Sequence, residues 1–234
     1  MVAGVRWQEG ILAAVAVALL QCVPAVAQEV PPPEAERVGQ VGPVAIPLAD
    51  FEYWFAAATH SFFGRPMELV APRYERCTAA KRKLRAAKGW RKLGERELRS
   101  RCARDHRELR RTAMQFLVQA QWVEQEAAAR GVAVSDRRVE RNFESQKRAA
   151  FRNERGYQRF LRESGADEAD IKYRIRLDTL QNRLTKDVTR NAGPAREQIA
   201  LWRFIEGFRK RYRAITWCAD GYRIAECGAI TPPS

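Results

Sequence analysis

Two histidines, five cysteines and a few paired acids are the side chains from which chemistry could be built. His60 lies next to Ser61 in an aromatic stretch. A base at this position needs both a nucleophile and an orienting acid, and nothing around it supplies both. His60 therefore reads as a packed or surface residue. His106 sits among Arg104, Arg107 and Arg110. A positive surround disfavours its protonation, and it reads as a helix-surface residue. Glu124/Glu126 and Asp167/Asp170 read as solvated helix faces or as partners of a helix dipole. No glycine-rich phosphate loop is present. We assign no catalytic residue, no metal site and no cofactor.

The cysteines are more informative. Cys77 and Cys102 bracket a basic segment, and Cys218 and Cys227 bracket a tight turn, Ala219-Asp220-Gly221. A zinc site needs clustered Cys/His at short spacing, and these separations give no pair of CxxC knuckles. Two disulfides are the reading, and oxidised cysteines belong outside the cytosol. Residues 1–27 read as a signal peptide. Arg6 supplies a weak basic start, Ile11 to Leu20 an apolar run, and Ala25-Val26-Ala27 small residues for cleavage before Gln28. Cys22 invites a lipid-anchor reading, but the preceding Gln21 is too large for such a site. An uncleaved anchor is the alternative, because Ile11 to Ala27 is at the short limit for spanning a bilayer. The expected location is extracytoplasmic, secreted or associated with the cell envelope.

Net charge is +14, from 42 basic and 28 acidic residues. Sixteen Lys/Arg against five Asp/Glu fall in residues 73–111, so this segment holds a surplus of eleven. A positive exported protein attracts anionic lipid head groups and cell-wall polymers. Export argues against nucleic acid as the partner of so basic a chain.

These residues are positioned by a chain that reads as mainly α. Residues 28–37, with Pro31-Pro32-Pro33, form a linker. Val38 to Pro47 suits an extended segment or edge strand. Phe51, Trp54, Phe55 and Ala58 have helical spacing behind Asp50, up to Gly64. Residues 86–94 read as a mobile loop or frayed helix. A long helix then runs from Glu95 to Arg130, with Met114, Phe116, Leu117, Ala120, Trp122 and Val123 on its apolar face and Gly131 beyond its end. Ser135 caps a helix carrying Val139, Phe143 and Phe151. A short helix with Tyr157, Phe160 and Leu161 stops at Gly165. The next carries Ile171 to Val188, and the last carries Leu201, Phe204, Ile205, Phe208 and Tyr212.

The run Met114-Gln115-Phe116-Leu117, Trp122-Val123-Glu124, Glu126-Ala127, Gly131-Val132 and Val134-Ser135-Asp136 resembles the SurA N-terminal-like domain of exported peptidyl-prolyl isomerases and foldases of the SurA/PrsA group. The likeness continues through Val139, Phe143, Lys147, Phe151, Phe160-Leu161, Ser164-Gly165, Asp170 and Arg174. Ile46-Pro47, Asp50-Phe51 and Trp54 match the opening element. The cysteine pattern, with Phe208, Tyr212, Thr216, Cys218, Gly221-Tyr222 and Cys227, resembles an actinobacterial branch. The resemblance implies a SurA-N-like helical bundle over 38–190 with a basic insertion at 73–108. A C-terminal helix and disulfide turn over 195–228 would pack back on it. Full-length members place a parvulin domain before the last helix, where this chain has about a dozen residues between Val188 and Leu201. The resemblance therefore points to an ATP-independent chaperone that binds unfolded exported polypeptides. Peptidyl-prolyl isomerisation and a basic envelope-binding module are the alternatives. A client groove needs adaptable apolar contacts. The candidates to line it are Phe51, Trp54, Phe55, Phe62, Phe63, Trp90 and Trp122, with Trp90, alone in the basic loop, the one most suited to exposure.

Overall fold

The computed structural model describes residues 36–193 and 195–233. The signal peptide assigned to 1–27 and most of the 28–37 linker lie outside the described residues. Among the described residues the fold is mainly helical, with a small sheet at one end.

Strands β1 (Arg37–Val41) and β2 (Val44–Pro47) form a hairpin that leads into α1 (Leu48–Phe63). Strand β3 (Thr216–Cys218) pairs antiparallel with β1, so the order is β2-β1-β3. The opening segment, expected to be an extended segment or edge strand, is thus a hairpin whose first strand is central. Gly39 permits this packing. A Cβ there would lie 2.6 Å from Met114 Cε, which would have to shift, and 3.1 Å from the Trp217 carbonyl, a tight contact.

Helix α2 (Glu75–Ala87) and helix α3 (Glu95–Ala129) follow. The expected loop or frayed helix at 86–94 is corrected at its start, because α2 is regular to Ala87 and only 88–94 form the turn. The Cys77–Cys102 disulfide, with Cα atoms 6.1 Å apart, fixes α2 along α3. Helices α4 (Asp136–Ala150), α5 (Glu154–Ser164), α6 (Glu168–Thr189) and α7 (Glu197–Ala214) complete the chain. Phe151, expected on α4, lies just past its end, where the backbone turns extended. Ser135 occupies the cap position without a side-chain bond, whereas Asn153 and Asp167 cap α5 and α6 with their side chains.

Helix α3, about 50 Å long at 1.5 Å per residue, is the axis of the molecule. Its Leu98, Cys102 and Leu109 pack with Leu69, Tyr74 and Cys77 under α2. Its Ala113, Met114, Leu117, Val118 and Trp122 pack with Val38, Val41, Ile46, Phe51, Trp54, Tyr212 and the Cys218–Cys227 bridge. Its Ala120, Val123 and Ala127 pack with Val139, Phe143, Tyr157 and the α6 residues Ile175, Leu177, Leu180 and Leu184. A helix that feeds three cores must be apolar on more than one stripe. This explains why Trp122 and Val123, neighbours in sequence, are both buried.

Candidate functional site

Helix α7 returns across α3 and α6, and its most deeply buried contacts are at its C-terminal end. At its C-terminal end Tyr212 is buried, and Phe208 and Tyr212 pack against the Trp122 ring with centroids 5.9 and 6.0 Å away. Trp122 Nε1 donates to Thr216 Oγ1 at 2.8 Å, and Thr216 Oγ1 donates to the Tyr212 carbonyl at 2.7 Å. The buried Glu126 carboxylate accepts from Arg130 Nε at 2.6 Å and from Arg211 at 3.1 Å. Burial raises its pKa, but the two guanidiniums outweigh that and hold it below the usual carboxylate range. Burial and the neighbouring Glu126 charge push the Tyr212 phenol up to about 12. The reading of Glu124 and Glu126 as solvated faces is corrected. Both turn inward, Glu126 to its arginines and Glu124 to Tyr173.

Toward its N-terminal end α7 is partly uncovered, with Leu201 and Phe204 half-buried. Ile199, Trp202 and Ile205 are 51%, 62% and 40% exposed. Between α7, α3 and α6 runs a groove of about 520 Å³. Its apolar wall comes from Val123, Leu184, Leu201, Phe204, Ile205 and Phe208. Its polar margin comes from Gln115, Gln119, Gln181, Thr185, Arg209 and Glu226. Glu226 accepts from Gln115 Nε2 at 2.7 Å and from Gln119 Nε2 at 3.0 Å, so its charge is turned into the wall. An apolar concavity with a neutral amide margin suits an adaptable contact with an extended apolar segment. It provides no nucleophile–base pair.

The structure separates the seven aromatics expected to line one groove. Phe51, Trp54 and Trp122 are buried in the main core. Of the three, Trp122 also lines the α7 groove. Phe55 is half-buried against that core and against the His106 ring. Phe62, Phe63 and Trp90 lie at the other end of the molecule, around α2. The two histidines are structural. His60 packs on Gly165, where a Cβ would stand 1.9 Å from its Nδ1, and its Nε2 lies 3.2 Å from the Glu163 carbonyl. His106 Nδ1 is 3.2 Å from the Tyr74 hydroxyl, and burial with Arg110 and Arg107 lowers its pKa. Among the described residues no three His, Cys, Asp or Glu side chains gather as metal ligands.

The sequence marks Leu201, Phe204, Ile205, Phe208 and Tyr212 as the apolar residues of the last helix, but Ile199 and Trp202 were not among the candidates to line a client groove. The signal was present in Ile199, Leu201, Trp202, Phe204, Ile205 and Phe208, which spread around more of the helix than one stripe can bury.

A helical bundle built on one long helix, with its sixth helix packed back along it, is the class of domain seen here. Residues 82–185 match the family described as the SurA-like N-terminal domain, and this part of the chain is such a domain. The match begins within α2 and takes in 82–108, the greater part of the segment expected to be an insertion. It stops before α7. No curated protein and no solved structure matched the chain.

Proposed function

We propose that this protein is an extracytoplasmic, ATP-independent chaperone that holds unfolded exported polypeptides in the α3/α6/α7 groove. One observation carries this reading: α7 exposes Trp202, Ile199 and Ile205 beside an apolar groove while its other end is anchored. Burying such side chains against a client contributes about 1.5–3 kcal/mol each, enough for weak, reversible holding by a few contacts. The SurA-like domain supports the same class, and the two disulfides support an oxidising compartment.

The test is aggregation of a reduced, unfolded client without ATP. The protein is expected to slow it at stoichiometric ratios. Trp202→Asp with Ile205→Asp, at exposed positions, is expected to abolish the effect without lowering the melting temperature. Absence of any effect at stoichiometric excess would overturn the reading. No isomerase activity is assigned, and proline-limited refolding is expected to proceed at its spontaneous rate.

A further inference from the structure

A second apolar surface lies where α2 meets the end of α1. Phe62, Leu84 and Trp90 are 57%, 51% and 49% exposed there. Phe62, Phe63, Leu84, Ala80 and Ala87 share a recess of about 490 Å³ with Arg65, Lys81 and Lys83. Lys81 pairs with Asp105 at 2.6 Å, and Arg82 pairs with Glu95. Arg65, Lys83, Lys88 and Lys92 form no ion pair among the described residues. Trp90, in the turn after α2, has Lys88 Nζ 4.9 Å and Arg85 Cζ 5.4 Å from its ring centroid. Exposed aromatics interleaved with long cationic side chains are the composition of a segment that rests in a bilayer interface. The rings enter the head-group boundary while the cations reach phosphate. No described helix is long and apolar enough to cross a membrane, so contact through this end is with a surface.

We propose that this end, the last turn of α1 with α2 and the 88–94 turn, docks the protein on a bilayer rich in anionic phospholipid. The charge complementarity is large, since the surrounding segment 73–111 carries a surplus of eleven positive charges. Each Lys or Arg near an anionic surface adds about 1 kcal/mol of attraction. The disulfide at Cys77 keeps α2 on α3 and holds the cations and rings together. This proposal does not rest on the chaperone reading. Docking here leaves the α7 groove open, because the two surfaces share no residue.

The test is co-sedimentation of the full chain with vesicles of phosphatidylglycerol and phosphatidylcholine in equal parts, against phosphatidylcholine alone. Binding is expected to be stronger to the anionic vesicles, and that excess is expected to fall steeply with salt. The triple variant Lys83→Glu, Lys88→Glu, Lys92→Glu is expected to bind them at least about a hundredfold more weakly, with unchanged helix content and melting temperature. Any affinity that residues 1–27 contribute is common to parent and variant, so their difference reports the α2 end. With lipids brominated along the chain, Trp emission is expected to be quenched in the parent, and Trp90→Leu is expected to remove most of that quenching. Equal binding of the triple variant and the parent would overturn the proposal. So would equal binding to both vesicle types. Binding to an acidic unfolded polypeptide in place of anionic vesicles, lost in the triple variant, would overturn it in favour of acidic-client capture. Client protection in lipid-free solution is expected to be the same for parent and triple variant, which keeps failure here distinct from failure of the chaperone reading.

Discussion

The α7 groove and the α2 end both leave large apolar side chains in water, yet their charges differ. The groove is lined by one cation and one anion, Arg209 and Glu226, and Glu226 is held by two glutamines. The α2 recess is lined by Arg65, Lys81 and Lys83 and by no acid. Along α3, residues 102 and 122, which lie under the two regions, are about 30 Å apart. Apolar exposure alone therefore does not define a partner in this protein. A neutral margin favours segments chosen for their grease, and a cationic margin favours an anionic surface.

Each surface also has its own staple, which gives the strongest way to separate them. Replacing Cys77 and Cys102 by alanine opens a loop 25 residues long, worth about 3.5 kcal/mol in the loop-entropy account. The melting temperature is expected to fall and anionic-vesicle binding to weaken, with client protection retained below the new transition. Replacing Cys218 and Cys227, separated by 9 residues, is expected to cost about 2.7 kcal/mol. It loosens the β3 end that anchors α7, so client protection is expected to fall while vesicle binding persists. Thermal melting paired with the two binding assays checks both, and loss of both functions in either variant would break the comparison.

A smaller effect is expected from Glu126→Gln, which removes the carboxylate joining Arg130 and Arg211 across α3 and α7. Losing charge-assisted hydrogen bonds at a buried group costs about 2 kcal/mol. The same group sets a pH dependence. Its pKa is lowered in the folded state, so its stabilisation is present above its ordinary value of 4.5 and is lost as pH falls below that. Denaturant unfolding at neutral and acid pH is expected to show a larger decline for the parent than for Glu126→Gln, because Glu108, Glu154 and Glu168 are lowered in both.

Much of this architecture was legible in the sequence. The α3 span, the stops at Gly64 and Gly165 and the α6 and α7 stripes follow from apolar periodicity and from glycines in the left-handed region. Periodicity could not tell which aromatics were left over. Phe51, Trp54 and Trp122 look as available as Phe62 or Trp90 until α3 is seen to serve three cores at once. Nor could it show that Glu126 turns inward, because its partner Arg211 is 85 residues away. The β1–β3 pairing was hidden for a similar reason. A three-residue strand near the end of the chain carries too short a pattern to read.

The account rests on α7 being where a client sits, and photo-crosslinking addresses this most directly. A photoreactive side chain is placed at Ile205 in one variant and at Leu84 in another, each mixed with an unfolded, reduced client in lipid-free solution. The account predicts client adducts from position 205 and few from position 84. Adducts mainly from position 84, or none from position 205 while aggregation is still slowed, would contradict it.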